Sequence, residues 1–339
     1  MTILFIGGTG VISTACTALA VERGMEVTLL RRGERYAPVP NGVKTITADI
    51  NHPSLAQKLG SLKFDAVVDF IAFTPADIER DLALFRGRTR QFIFISSASA
   101  YQKPATSYLI TESTPLANPY WDYSRNKIAC EERLMRAYRE EGFPATIVRP
   151  SMTYGDTLIP LALNCWPKSY TAVDRMRRGG KLIVPGDGSS LWVITHNTDF
   201  AKAFVGLLGH EQSIGHAFQI TSDEVLSWDQ IFHIVADALR VEAKLVHIPS
   251  DFISACWPDR LGWLTGDSSV SAVFDNSKIK RFVPDYCATT TFAQGIRKSI
   301  AWFDAQPERK KVDAETVAIW DKIIAGYEKG LNDTLKAFR

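Results

Sequence analysis

Short apolar runs alternate with amphipathic segments along the first half of the chain. The apolar runs are rich in Val, Ile and Phe and predict strands at Thr2–Ile6, Glu26–Leu30, Val43–Thr47, Ala66–Ala72, Phe92–Ser96 and Ala145–Val148. Helical periodicity lies between them, over about Val11–Arg23, Pro75–Phe85 and Trp121–Glu141. This alternation predicts a doubly wound, parallel Rossmann-type α/β sheet with right-handed crossovers.

The regular alternation ends at Arg149-Pro150, and the second half mixes turns with further helices. Ser227 and Gln230 form a capping-box pattern that predicts a helix to about Leu239. A last helix from Asp313 carries an apolar stripe of Val317, Trp320, Ile324, Tyr327, Leu331 and Phe338. We expect this stripe to pack on its own domain, with a partner helix as the alternative. The pattern predicts a dinucleotide-binding domain at 1–150, an interleaved mixed α/β substrate-binding lobe at 151–312 and a C-terminal amphipathic helix at 313–339.

Composition narrows the class of protein. The 339 residues are 46% hydrophobic and 22% charged, with a formal charge of +2, which makes nucleic acid an unlikely partner. No run of 18 apolar residues occurs, and the start of the chain lacks a signal-peptide pattern. The five cysteines are scattered and the histidines show no metal-binding spacing. We therefore expect a cytoplasmic protein with no membrane association and no metal.

A glycine-rich turn follows the first predicted strand and opens a helix. This is the context in which Gly7-x-x-Gly10 binds a dinucleotide pyrophosphate at a helix N-terminus, with Ser13 in the place of a third glycine. The predicted contacts are Gly7, Gly8, Thr9, Gly10, Val11 and Ile12.

The end of the second strand indicates which dinucleotide is bound. Arg31 occupies the place where an acidic residue would hold the ribose of NAD, and Arg32 follows it. Guanidinium groups suit a 2′-phosphate, so NADP is favoured over NAD, with Glu34 as the alternative ribose acceptor for NAD. Asp49 and Ile50, after the third strand, are expected at the adenine edge.

Tyr123 and Lys127 are one helical turn apart and share a helix face. A phenol has a reference pKa of about 10, and a nearby ammonium group would favour its ionised form. The pair is therefore a candidate general base. Ser97, with Ser96 and Ser99 as alternatives, ends a predicted strand where a hydroxyl could hold a substrate oxygen.

Several motifs occur together in a fixed order: the glycine turn, Ser96-Ser97 with Tyr101, Tyr123-x-x-x-Lys127, Arg149-Pro150 with Tyr154, and Gly186-Asp187-Gly188-Ser189. In this the chain resembles the extended, atypical short-chain dehydrogenases/reductases of the NAD-dependent epimerase/dehydratase type. The resemblance implies that Tyr123 is the general acid/base, Lys127 its electrostatic partner and a ribose ligand, and Ser97 the substrate-oxygen anchor. It also implies that Ala72 and Pro150 lie beside the cofactor.

The resemblance implies hydride transfer at a carbinol or carbonyl carbon of a sugar or sugar-like substrate, by an epimerase or a dehydrogenase/reductase. Dehydration is disfavoured because Ala98-Ser99 stand where dehydratases carry Asp-Glu. A nucleotide sugar is in doubt because Leu191-Trp192 replace an expected arginine, although Arg175, Arg177 or Arg178 could substitute. The pocket-facing candidates are Ser99, Tyr101, Thr153, Tyr154 and Trp192.

Two alternatives stay open at this point. One is a nucleotide-sugar 4-epimerase, and the other is a non-catalytic RNA-binding or regulatory protein on the same fold. The resemblance also suggests a homodimer formed through the helices near Pro75–Phe85 and Trp121–Glu141.

Overall fold

Seven parallel strands form the central sheet of the computed structural model, which describes residues 1–33 and 39–339. The strands are β1 (Thr2–Ile6), β2 (Glu26–Arg31), β3 (Lys44–Thr47), β4 (Ala66–Asp69), β5 (Phe92–Ile95), β6 (Ala145–Pro150) and β7 (Ala217–Ile220). Their order in the sheet is β7-β6-β5-β4-β1-β2-β3. The predicted doubly wound α/β fold is confirmed, and the order reverses between β1 and β4, where ligands bind in such sheets.

Both faces of the sheet are buried, which explains the near-continuous apolar strands. Ile3 and Phe5 of β1 face one apolar core, and Leu4 and Ile6 face the other. The helices that cover the sheet are α1 (Val11–Glu22), α2 (Leu55–Leu59), α3 (Pro75–Phe85) and α4 (Asp122–Glu141).

Residues of the second half return to the main sheet. The helices α5 (Tyr170–Arg177) and α6 (Asn197–Leu207) precede β7, and α6 packs against α1. The central sheet thus includes a strand from beyond residue 150, and the proposed domain boundaries at 150 and 312 stay a prediction.

The remaining elements build a smaller lobe around a third apolar core. Its helices are α7 (Trp228–Leu239), α8 (Ser250–Cys256), α9 (Leu261–Trp263), α11 (Phe292–Asp304) and α12 (Ala314–Ala337). The short helix α10 (Ser277–Phe282) instead packs on α6 and β7, with Ile279 in a core of the main sheet. Two-stranded sheets pair Met152–Tyr154 with Ile194–His196, Leu182–Pro185 with Leu245–Ile248, Leu191–Trp192 with Leu226–Ser227, and Leu109–Ile110 with Val273–Phe274. The predicted capping box is present at α7, where Ser227 and Gln230 exchange hydrogen bonds.

The apolar stripe of α12 is buried only in its first half. Trp320, Ile323 and Ile324 join the core of the smaller lobe, whereas Leu331 and Phe338 are exposed. The expectation that the whole stripe packs on its own domain is therefore wrong for the last turns, because no element of the described residues reaches them. Across the described residues, no helix is both long and apolar enough to cross a membrane.

Candidate active site

The glycine turn lies at the floor of a cleft of about 530 Å³ beside the carboxyl ends of the strands. Gly7 and Gly8 have φ angles of 108° and 69°, which side-chain-bearing residues rarely adopt. A Cβ on Gly8 would lie 2.5 Å from a methyl group of Leu29, so the turn also depends on the missing side chain there. Ser13 accepts a hydrogen bond from the Gly10 N–H at 2.8 Å. The serine therefore stabilises the turn from the position expected of a third glycine.

About half of the cofactor residues expected from sequence line this cleft. They are Gly7, Thr9, Gly10, Arg31, Arg32, Asp49 and Ile50. The others lie outside its lining: Gly8, Val11, Ile12, Ala72, Lys127 and Pro150. Sequence reasoning missed Asn51, Phe70, Ile71, Phe73, Asp77 and Arg80, which also line the cleft.

The cleft fits a nucleotide that carries negative charge near β2. Within the described part of the chain, the Arg31 Nε is buried and has no hydrogen-bond partner. A buried donor without an acceptor is costly, and a phosphate or ribose oxygen would satisfy it. Glu34, the alternative acceptor for NAD, lies outside the described residues.

Three serine hydroxyls form a row that leads to the cleft end of β5. Ser124 donates to the Ser99 hydroxyl at 2.8 Å, and the Ser99 and Ser97 hydroxyls are 2.9 Å apart. Ser99 and Ser124 are buried, whereas Ser97 is partly exposed. Ser96 points away and bonds Glu131. Of the serines considered from sequence, Ser97 is thus the one presented outward, and Ser99 supports it from behind.

Tyr123 lies next to Ser97, but its pKa does not behave as the sequence suggested. Burial raises the pKa of Tyr123 above its usual value, and a hydrogen bond from Ser97 lowers it only in part. Lys127 donates to the carbonyls of Ala72 at 2.7 Å and Ile95 at 2.8 Å. The expected lowering of the phenol pKa by Lys127 is therefore wrong, because the ammonium group bonds the backbone and not the phenol.

Lys127 is almost completely enclosed. Its ammonium nitrogen lies 4.6 Å from the ring centre of Phe73 and 4.7 Å from that of Phe94. Burial lowers the pKa of Lys127 to about 8. An ammonium group has three hydrogens, and two are used by the carbonyls, so one is left to donate to a ligand.

The residues expected to face the substrate pack in the protein interior instead. Tyr101 donates to the Gln219 side chain at 2.9 Å, and Trp192 stacks on Trp228 with ring centres 5.6 Å apart. Tyr154 is enclosed by His196 and Phe292, and Thr153 bonds a backbone carbonyl. The expectation that these four side chains face the substrate is therefore corrected. The smaller lobe covers them, and the periodicity of the sequence does not show where that lobe packs.

A buried ion pair and an amide tie the smaller lobe to the serine loop. Lys103 lies 3.6 Å from Asp267, and Asn118 donates to the carbonyls of Ser99 at 2.8 Å and Gly266 at 2.7 Å. Asp267 also raises the pKa of Tyr123. Asn118 had no sequence signal beyond being a polar residue shortly before the Tyr123 helix.

The basic cluster that could have gripped a diphosphate is neutralised by acidic neighbours. Arg175 pairs with Asp321 at 2.5 Å, Arg177 with Asp304 at 2.5 Å, and Arg178 with Asp174 at 3.0 Å. These contacts hold the guanidinium groups against α11, α12 and their own helix. Among the described residues, no group of His, Cys, Asp and Glu side chains is arranged to hold a metal ion.

Comparison with known proteins points to one family. The model of the NAD-dependent epimerase/dehydratase family matches residues 3–221. The chain is 27% identical over 289 residues to 2′-dehydrokanamycin reductase of Streptomyces kanamyceticus, covering 84% of this chain and 79% of that protein. It is 25% identical over 266 residues to the chloroplast stem-loop binding protein of 41 kDa b of Arabidopsis thaliana, covering 74% and 67%.

Solved structures with the same fold include two epimerases. An epimerase of Methanothermobacter thermautotrophicus superposes with a TM-score of 0.73 at 16% identity, over 91% of this chain and 93% of that one. UDP-glucuronic acid 4-epimerase of Bacillus cereus, solved with UDP-glucuronic acid and NAD, gives a TM-score of 0.70 at 17% identity, over 90% and 99%. At this identity the likeness supports the fold.

Proposed function

Because the chain belongs to the NAD-dependent epimerase/dehydratase family, we propose that it is an NADP(H)-dependent reductase acting on a carbonyl carbon of a sugar-like substrate. The observation that supports this best is the meeting of Ser97, Tyr123 and Lys127 beside the glycine-lined cleft. When bound, a nicotinamide cofactor supplies the hydride. Its pyrophosphate would be held by the N–H groups of the Gly7–Gly10 turn, and its nicotinamide ribose by Lys127.

Tyr123 has the proton that a reduction requires. A phenol whose pKa is raised keeps its proton at neutral pH, and a protonated phenol can donate to the oxygen of a carbonyl as it becomes a hydroxyl. Ser97 would hold the same oxygen from the side. The choice of reduction over oxidation is supported by the reductase relative.

NADP(H) is proposed over NAD(H) because Arg31 and Arg32 line the cleft at the end of β2. The guanidinium of Arg31 offers a buried donor that a 2′-phosphate would accept.

A sugar-like substrate without a nucleotide is proposed from two observations. The reductase relative, named for 2′-dehydrokanamycin, aligns over most of this chain. The arginines Arg175 and Arg177, which could have bound a nucleoside diphosphate, are held in ion pairs. We propose a sugar ketone as the class of substrate for this chain, and we do not propose that it acts on the same compound as that relative.

The decisive experiment is Tyr123→Phe. With NADPH and a panel of sugar ketones that includes 2′-dehydrokanamycin, we expect turnover to fall by about a hundredfold or more, because the proton donor is lost. Binding of NADPH, followed by its fluorescence, should stay within about twofold. The matched control is Tyr138→Phe, which removes an exposed phenol from the same helix. Full turnover in Tyr123→Phe would refute the assigned role.

The cofactor that the purified protein carries distinguishes a reductase from an epimerase. An epimerase returns the hydride to the same substrate and keeps its cofactor, so tightly held NAD after purification would favour the epimerase. Exchangeable NADP(H) with net consumption of NADPH is the result that we expect.

A further inference from the structure

A cluster of buried charges lies at the end of β4, next to the cleft. Asp69 and Asp81 are fully buried, and the Arg80 side chain is 15% exposed. The Arg80 Nη2 donates to Asp69 at 3.1 Å and to Asp81 at 2.9 Å. Its Nη1 donates to Asp77 and to Asn51, each at 2.9 Å. One guanidinium therefore joins two interior carboxylates to two residues that line the cleft.

Two carboxyl groups can share this interior site because one of them keeps its proton. Burial raises the pKa of Asp81 well above its usual value, and the charge of the adjacent Asp69 raises it further. Arg80 bonds Asp69, Asp81 and Asp77 together, so it links all three carboxyl groups of the cluster. Replacing Arg80 would remove the guanidinium partner of the buried Asp69 side chain.

The cluster continues to the active site through the backbone. Asp69 accepts hydrogen bonds from the N–H groups of Ile71 and Ala72, the latter at 2.8 Å. The carbonyl of Ala72 in turn accepts from the Lys127 ammonium group at 2.7 Å. Arg80, Asp69, Ala72 and Lys127 thus form an unbroken series of hydrogen bonds.

We propose that Asp69 and Arg80 are positioning residues that hold Lys127 in place through the carbonyl of Ala72. This rests on the proposed function and assigns to that same site two further residues. The side chain of Lys127 is a flexible chain of four carbons, and its ammonium group donates to two carbonyls. The Ile95 carbonyl belongs to a strand and is rigid, whereas Ala72 lies in a loop after β4, and Asp69 fixes that loop by accepting its N–H groups.

The test is a double-mutant cycle on NADPH binding, which needs no substrate. Lys127→Met removes the ribose donor, and Asp69→Ala removes the oxygens that accept from the Ile71 and Ala72 N–H groups and from Arg80. We expect each single variant to weaken NADPH binding by about tenfold. We expect the double variant to be no more than about twofold weaker than Lys127→Met alone, because both changes remove the same contact. If the two substitutions acted independently, the double variant would instead bind NADPH about a hundredfold more weakly than the unsubstituted protein.

A fragment of the cofactor separates positioning from general damage to the cleft. Adenosine 2′,5′-bisphosphate lacks the nicotinamide ribose and would not reach Lys127, so its affinity should change by less than about twofold in Asp69→Ala. Equal weakening of NADPH and of this fragment would overturn the proposal.

Two further variants keep the test decisive. If Asp69→Ala does not fold, Arg80→Met replaces it in the cycle. Arg80→Met leaves Asp69 in place and should show the same non-additive loss when it is combined with Lys127→Met. Glu79→Gln is the matched control, since it removes a charge from the same helix but breaks only an outer ion pair with Arg133. If the losses of NADPH affinity in the two single variants multiply in the double variant, the positioning role is refuted, even if Tyr123→Phe behaves as expected. A failed Tyr123→Phe test would leave the cycle intact and refute the reductase instead.

Discussion

Arg31 combines a sequence position and a physical state that together suggest its role. It ends β2, its side chain lines the cleft, and its Nε is buried without a partner among the described residues. A charge-assisted hydrogen bond to phosphate is among the stronger polar contacts available to a side chain.

Cofactor preference should change when Arg31 becomes Met. We expect the Kd for NADPH to rise about tenfold while the Kd for NADH stays within about twofold, because only NADPH carries the 2′-phosphate. Titration of cofactor fluorescence measures both constants. Arg23→Met, at an exposed position outside the cleft lining, is the control for loss of one positive charge. An unchanged ratio of the two constants would count against the NADP(H) assignment.

For single residues, the sequence indicated which side chains lie close together better than it indicated their burial and pKa. Tyr123 is hydrogen-bonded to Ser97, as the order of the motifs led us to expect, and the catalytic roles of the two residues and of Lys127 stay predictions. The sequence did not predict that the Tyr123 pKa is raised, because burial depends on the packing of Trp121 and Phe73 around the ring. Nor could it reveal the series from Arg80 to Lys127, since a loop carbonyl provides the link.

The two ends of the last helix, α12, differ in how deeply their apolar side chains are buried. Trp320 of α12 is 1% exposed, whereas Phe338 is 85% exposed. Ion pairs from Lys168 to Asp313, from Arg175 to Asp321 and from Lys181 to Glu328 hold the helix to α5 and its neighbours, and all three lie before residue 331.

Stability should follow that division. Trp320→Ala should lower the free energy of unfolding by about 3–5 kcal/mol, because it leaves a large cavity. Removal of residues 331–339 should lower it by less than about 1 kcal/mol, since those residues are exposed. Urea denaturation of both variants measures the contrast. A large loss on truncation would mean that the exposed stripe is covered in solution, and sedimentation would then show an oligomer.

Element positions were predicted where local pattern dominates. The strands of the first half and the capping box at Ser227 needed only periodicity and cap chemistry. The return of Ala217–Ile220 to the sheet edge was not predicted, because its short run resembles many others and its partner β6 lies far away in the chain. The same long-range packing buries Tyr154 and Trp192.

The molecule as a whole has little net charge to attract a polyanion. Its formal charge is +2, and the basic clusters are engaged locally: Arg86 with Glu141, Arg90 with Glu211, and Arg177 with Asp304. Affinity for nucleic acid grows with the number of phosphates that a protein neutralises.

RNA binding should therefore be weak despite the stem-loop-binding relative. At physiological salt we expect a Kd of about 10 μM or weaker for a stem-loop RNA, within the non-specific range. Filter binding at several salt concentrations measures it, and Tyr123→Phe should not alter it. A nanomolar Kd with a steep salt dependence would favour the regulatory alternative over the reductase.

The serine row indicates which contact a substrate must displace. Ser124 donates to Ser99 at 2.8 Å, the Ser97 and Ser99 hydroxyls are 2.9 Å apart, and the backbone N–H of Ser99 donates to the Ser97 oxygen at 3.2 Å. Ser97 is also hydrogen-bonded to Tyr123. A ketone oxygen can only accept hydrogen bonds. In the proposed reductase it would therefore have to enter between the hydroxyls of Ser97 and Tyr123 and replace their mutual contact.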